Sequence, residues 1–272
     1  MVLASATTSP KALPTASPLS ARFAALRAKG RRALVCYVTA GHPDVAKSVQ
    51  LLRGLEQAGA DVIEVGVPFS DPLADGPVIQ RSSQMAIDQG MTLERTLALI
   101  AEAAVTVPVV LFSYLNPIIA AGPDVLARAR AAGVSGVLVT DLPVGADPAR
   151  EAWFGSSGLD FVRLVAPTTP AARMTEIGAH GGGFVYLISR MGVTGEQDSL
   201  SDELPATVAR LRASTALPIC IGFGISTPEQ ARAAAVLSDG VIVGSALVRA
   251  AERSVEEAIA LAVSLRAAID AA

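Results

Sequence analysis

One pattern limits this chain more than any other: a short, β-branched apolar run, a turn, then an Ala/Leu/Arg-rich helical stretch, repeated from residue 33 onward. The apolar runs are Ala33–Val38, Asp61–Val67, Pro108–Phe112, Gly136–Thr140, Asp160–Val165, Gly183–Ile188, Pro218–Gly222 and Gly240–Gly244. Helical segments fall between them at Val45–Ala58, Thr92–Ala104, Pro123–Ala132, Ala171–Ala179, Asp202–Ala213 and Thr227–Ser238, with Glu256–Ala268 after the last run and Ser20–Lys29 before the first. Strands that alternate with helices pair in parallel through right-handed crossovers. Eight repeats in a chain of 272 residues match the size of a closed (β/α)8 barrel, preceded here by an extra N-terminal helix. An open doubly wound sheet is the rival. It usually carries a glycine-rich fingerprint after its first strand, and Thr39-Ala40-Gly41-His42-Pro43 is not one.

Composition agrees. Only 4% of residues are aromatic, so the 51% that are hydrophobic are mostly Ala, Val, Leu and Ile, as suits parallel strands covered on both faces. A net charge of -3 without a basic stripe argues against nucleic acid. No apolar run is long enough to span a bilayer. Cys36 and Cys220 both lie in strand-like runs and read as buried free thiols. Residues 1–19 are rich in Ala, Ser, Thr and Pro, and the first acidic residue is Asp44. They read as a disordered tail ahead of a single catalytic domain over 20–272, and a transit peptide is the alternative. The cytosol is therefore the expected location, with a plastid second.

Two connections exceed the usual βα loop of about 2–6 residues: Pro68 to Met91 after the second strand, and Ser189 to Ser201 after the sixth. In a barrel both lie on the C-terminal face, where active sites are built. Glu64 stands inside Asp-Val-Ile-Glu-Val-Gly-Val, an otherwise buried strand. Burying an unpaired carboxylate is costly. The residue is either in a structural ion pair or kept for acid/base work, to which desolvation would suit it. Asp71 and Asp75 follow in a loop stiffened by Pro68, Pro72 and Pro77, either as turn residues or, for Asp75, as a carboxylate held opposite Glu64. Residues 221–226 (IGFGIS) and 243–246 (VGSA) close strands seven and eight. They serve tight turns, or they form the phosphate cradle that barrels often place there. Tyr186 is a core aromatic or a hydroxyl that holds one carboxylate. Lysine occurs only at positions 11, 29 and 47, away from strand ends, and the two histidines, His42 and His180, fall at opposite faces. Schiff-base and zinc chemistry therefore lack their residues. Carboxylate chemistry remains, on a substrate that brings its own electron sink.

Residues 64–80 (EVGVPFSDPLADGPVIQ), 186–195 (YLISRMGVTG), 222–226 (GFGIS) and 243–246 (VGSA) together resemble the tryptophan synthase alpha subunits, in order and at plausible spacing over about residues 20–270. The resemblance implies retro-aldol cleavage of indole-3-glycerol phosphate to indole and glyceraldehyde 3-phosphate. It makes Glu64 the acid/base, Asp75 the partner of the indole N–H, and Tyr186 an orienting tyrosine. It places Gly195, Phe223, Gly224, Gly244 and Ser245 around the phosphate, Thr194 in a closing loop, and Tyr37, Leu138 and Thr140 along the indole pocket. At position 37 the family often has Phe. His42 stands where an acidic residue is common, and Met191 where small residues are frequent. The resemblance further implies no cofactor in this chain and a pyridoxal-phosphate beta subunit as partner in an alpha2beta2 heterotetramer, contacted by Pro68, Asp71 and Asn116. A stand-alone lyase, another phosphate-binding barrel such as a sugar-phosphate isomerase, and a non-catalytic partner subunit are the alternatives.

Overall fold

A computed structural model describes residues 17–188, 203–222 and 224–272. Eight strands, β1 (Ala33–Thr39), β2 (Val62–Gly66), β3 (Val109–Ser113), β4 (Val134–Val139), β5 (Asp160–Val165), β6 (Val185–Ile188), β7 (Ile219–Gly222) and β8 (Gly240–Val243), close into a parallel barrel in sequence order. The helices are α1 (Pro18–Ala28), α2 (Val45–Gln57), α3 (Pro77–Asp88), α4 (Leu93–Ala103), α5 (Leu115–Ala120), α6 (Val125–Ala131), α7 (Pro148–Ser156), α8 (Ala171–Ala179), α9 (Leu204–Ser214), α10 (Pro228–Leu237), α11 (Ser245–Arg253) and α12 (Val255–Asp270). The barrel and the N-terminal helix are those expected from the sequence. The long connection after β2 holds a helix, α3, that the apolar periodicity did not announce, and α5, α7 and α11 were likewise not anticipated. Helix α1 starts at Pro18, two residues before the boundary read from the sequence, because Ser17 caps it by accepting from the Ser20 N–H and Leu19 is wholly buried.

Strand alternation sorts the core into two parts. Leu34, Cys36 and Val38 of β1, with Ile63 and Val65 of β2, face the helices. Val35, Val62, Val110, Leu138, Val162, Phe184 and Ile242 face the barrel axis, where Leu19, Phe23 and Leu26 of α1 close the lower end. The second set continues upward to Tyr186. Cys36 and Cys220 are buried free thiols.

The lower end is also tied electrostatically. Asp61, 1% exposed, accepts from the Leu34 N–H at 2.8 Å, from Arg22 of α1 at 2.6 Å and from Arg266 of α12 at 2.8 Å. Arg266 also holds Asp270 at 2.6 Å, and Asp270 holds Arg31. One carboxylate thus joins the first helix, the first strand and the last helix.

Candidate active site

The candidate catalytic residues occupy inward positions at the upper end. On β2, Val62 faces the axis, so Glu64 and Gly66, two and four residues on, share that side. Glu64 is 0% exposed, and neither carboxylate oxygen has a hydrogen-bond partner. Among the described residues, Glu64 has no ion-pair partner. Burial alone pushes the Glu64 carboxyl up to about 8, so it carries a proton at neutral pH. An orphaned buried acid costs stability unless a ligand or a reaction uses it. The Thr140 hydroxyl, above β4, is likewise buried and unpaired.

Asp75, 7% exposed, is held in the loop between β2 and α3. Its N–H bonds Pro72 O at 3.0 Å, and Gln80 of α3 donates to its backbone oxygen at 2.9 Å. The Tyr114 hydroxyl, at the end of β3, donates to its carboxylate at 3.0 Å and accepts from the Ala74 N–H at 2.9 Å. Burial raises the Asp75 carboxyl to about 6, against the lowering pull of the Tyr114 bond. Both Glu64 and Asp75 act electrostatically on Tyr37, whose hydroxyl burial pushes well up. Tyr114 was not identified from the sequence. Its signal was available, as a tyrosine directly after the third strand in Phe-Ser-Tyr-Leu-Asn-Pro, but its partner is far away in the chain.

Tyr37 pairs across β1 and β2 with Glu64, and its ring meets Phe112 edge-on at 5.3 Å. Leu138 lines the axis below Thr140. Tyr186 lies deep in the mouth, and neither Glu64 oxygen accepts from its hydroxyl. It rests instead over Gly222, where a Cβ would sit 2.4 Å from the phenol oxygen. The side chain extends toward the strand that lacks one.

At the opposite rim, Gly224 adopts φ +80, a conformation natural to glycine. The start of α10 is already satisfied: Gln230 Oε1 accepts from the Ser226 and Thr227 N–H groups. The start of α11 has no side-chain cap, so its first amides at Ser245 and beyond, following Gly244, stay open to an anion. Thr194, Gly195 and Phe223, with Met191, lie outside the described residues. Among the expected partner contacts, Asp71 and Asn116 are exposed, whereas Pro68 is buried and lines one wall of a 420 Å³ concavity that Asn116 also borders. Leu73, 80% exposed, stands beside Asp71. His42 is buried above β1, and His180 caps the lower end of α8. Among the described residues, no group of three or more His, Cys, Asp or Glu is placed to hold a metal ion.

Comparison with known proteins decides the family. The model of the tryptophan synthase alpha chain family matches residues 23–270. The chain belongs to the tryptophan synthase alpha chain family. The tryptophan synthase alpha chain of Desulfatibacillum aliphaticivorans is 48% identical over 237 residues, covering 86% of this chain and 89% of that protein. Among solved structures, a Mycobacterium tuberculosis tryptophan synthase aligns with a TM-score of 0.87 at 37% identity, over 94% of this chain and 99% of that one. Tryptophan synthase subunit alpha from Legionella pneumophila strain Paris aligns with a TM-score of 0.86 at 35% identity, over 95% and 100%. As a tryptophan synthase alpha chain, the protein is a carbon–carbon lyase of tryptophan biosynthesis that cleaves indole-3-glycerol phosphate.

Proposed function

We propose that Glu64 is the proton carrier of this cleavage and Asp75 the anchor of the indole ring. The observation that carries the reading is a fully buried, unpartnered carboxyl that is protonated at neutral pH. Glu64 gives its proton to indole C3, which places positive charge on the ring. The ring N–H donates to Asp75, ionised above about pH 6, and the charge is stabilised there. The Glu64 carboxylate then takes the proton of the hydroxyl on the adjoining side-chain carbon. The carbon–carbon bond breaks, its electron pair returns to the ring, and indole and glyceraldehyde 3-phosphate leave. Glu64 ends as it began, protonated. Tyr37, Leu138, Thr140 and Tyr186 enclose the ring. Gly224, Gly244 and Ser245 present amides to the phosphate; the roles that the resemblance gives Thr194, Gly195 and Phe223 fall outside the described residues. No resident cofactor takes part.

Two pH limits follow. Activity requires ionised Asp75 and protonated Glu64, so kcat/KM should peak between about pH 6 and about pH 8. A pH profile flat across both limits would contradict the assignment. Asp75→Asn should lower kcat by about 10²–10³-fold while substrate-analogue binding survives, as single-turnover and titration measurements would show. Tyr114→Phe removes a bond that lowers the Asp75 pKa. The acid limb of the profile should then move upward, with activity at pH 7 falling by about tenfold or less.

The same reading pairs the chain with a beta subunit that holds pyridoxal phosphate, in an alpha2beta2 heterotetramer of the cytosol. Asp71, Asn116 and the concavity edged by Pro68 supply the contact. An indole-release assay with purified protein, with and without that subunit, tests this. A rate unchanged by mixing would favour a stand-alone lyase. No indole from indole-3-glycerol phosphate in either case would refute the site assignment.

A further inference from the structure

We infer that Tyr37 and Gly66 together gauge the size of the substrate's aromatic ring, setting which substituents on the six-membered ring of the indole the site admits. The inference rests on the proposed placement of that ring beside Glu64. Tyr37 runs along one side of the mouth, from the end of β8 to the end of β2, the two strands that flank its own. A Cβ at Gly244 would lie 3.4 Å from the Tyr37 Cβ, so the root of the side chain stands against the end of β8. A Cβ at Gly66 would lie 2.1 Å from the Tyr37 hydroxyl oxygen and 2.6 Å from the ring carbon that bears it, so the tip occupies the notch left at the end of β2.

The ring has little freedom to leave that position. It is 8% exposed, packs with Val78 and Ile79 of α3 and Val248 of α11, and meets Phe112 at 81°. Tyr37 is also the β1 residue registered against Glu64. Its ring therefore forms the wall beside the acid, and an indole presented to Glu64 lies along it. The hydroxyl lengthens the side chain into space that only glycine at 66 leaves open. Any side chain at 66 would drive a stiff aromatic group, with no flexible end to give way, toward the space the substrate needs.

The test compares kcat/KM for indole release from unsubstituted indole-3-glycerol phosphate with that from the same compound chlorinated on the six-membered ring, for the unmodified chain, Tyr37→Leu, Gly66→Ala and the double variant. Tyr37→Leu should raise the ratio of substituted to parent substrate by about tenfold or more, the scale on which apolar pockets discriminate. Gly66→Ala should lower kcat/KM for the parent by about 100-fold, and adding Tyr37→Leu should recover at least tenfold of that loss. An unchanged ratio in Tyr37→Leu overturns the inference, as does a double variant no better than Gly66→Ala. Should Gly66→Ala fail to fold, the ratio in Tyr37→Leu alone decides. Failure of the functional reading looks different: the unmodified chain then releases no indole from the parent compound.

Discussion

Glu64→Gln should abolish measurable indole release, by about 10³-fold or more, and at the same time make the protein harder to unfold at neutral and alkaline pH. Both effects have one origin. The side chain sits in an apolar strand with no partner, its carboxyl raised from 4.5 to about 8 by burial. Between those two values the unfolded chain has already lost the proton that the folded chain retains. Stability therefore falls as pH rises from about 4.5 and levels off above about 8, where both forms are ionised. The limiting slope is about 1.4 kcal/mol per pH unit, which puts the burden at pH 7 near 3 kcal/mol. Glutamine fills the same space without ionising. Urea unfolding of the variant across pH 5–9 should lose most of this slope, and its midpoint at pH 7 should exceed that of the unmodified protein. A variant that keeps its turnover, or that is less stable at pH 8 than the unmodified chain, would remove Glu64 from the mechanism.

The second large effect lies at the other end of the barrel and touches no substrate. Asp61→Ala should destabilise the fold by about 3–5 kcal/mol, the scale for breaking a buried ion pair by removing one partner. Three groups lose their acceptor together: the Leu34 N–H, Arg22 and Arg266. Arg266 keeps Asp270, so the loss falls short of stranding a bare cation. The melting temperature should drop by about 10 °C or more, while kcat of the protein that remains folded stays within about twofold. Asp61→Asn should be milder, because an amide oxygen still accepts from Leu34. Equal stability of Asp61→Ala and the unmodified chain would show that the three donors find other partners.

What could be read from the residues was what depends on local order. Strand alternation announced the barrel, and an acid in the middle of the apolar run 62–67 announced Glu64, because both signals lie within a few residues. Helix α3 escaped because Pro72 and Pro77 make the segment look like loop, although Pro77 occupies the first turn, where its missing N–H does no harm. Tyr114 escaped because its partner, Asp75, is 39 residues away and meets it only once β2 and β3 are neighbours. Tyr186 reads from the sequence as a core aromatic or as a hydroxyl that holds one carboxylate. Its actual direction is set by the bare Gly222 on the next strand, a steric fact that sequence spacing cannot express. Asp71 and Asn116 are exposed as a contact surface needs, whereas Pro68 turned inward because the chain leaves β2 still within the packed rim.

Helix α1 has a further effect besides capping the core. With Leu19, Phe23 and Leu26 wedged under Phe184 and the inward side chains filling the axis up to Tyr186, the barrel is a cul-de-sac. Among the described residues the lower end is closed, so Glu64 is reached from the upper end. The freed indole cannot drain through that floor, so any receiver has to wait at the upper end.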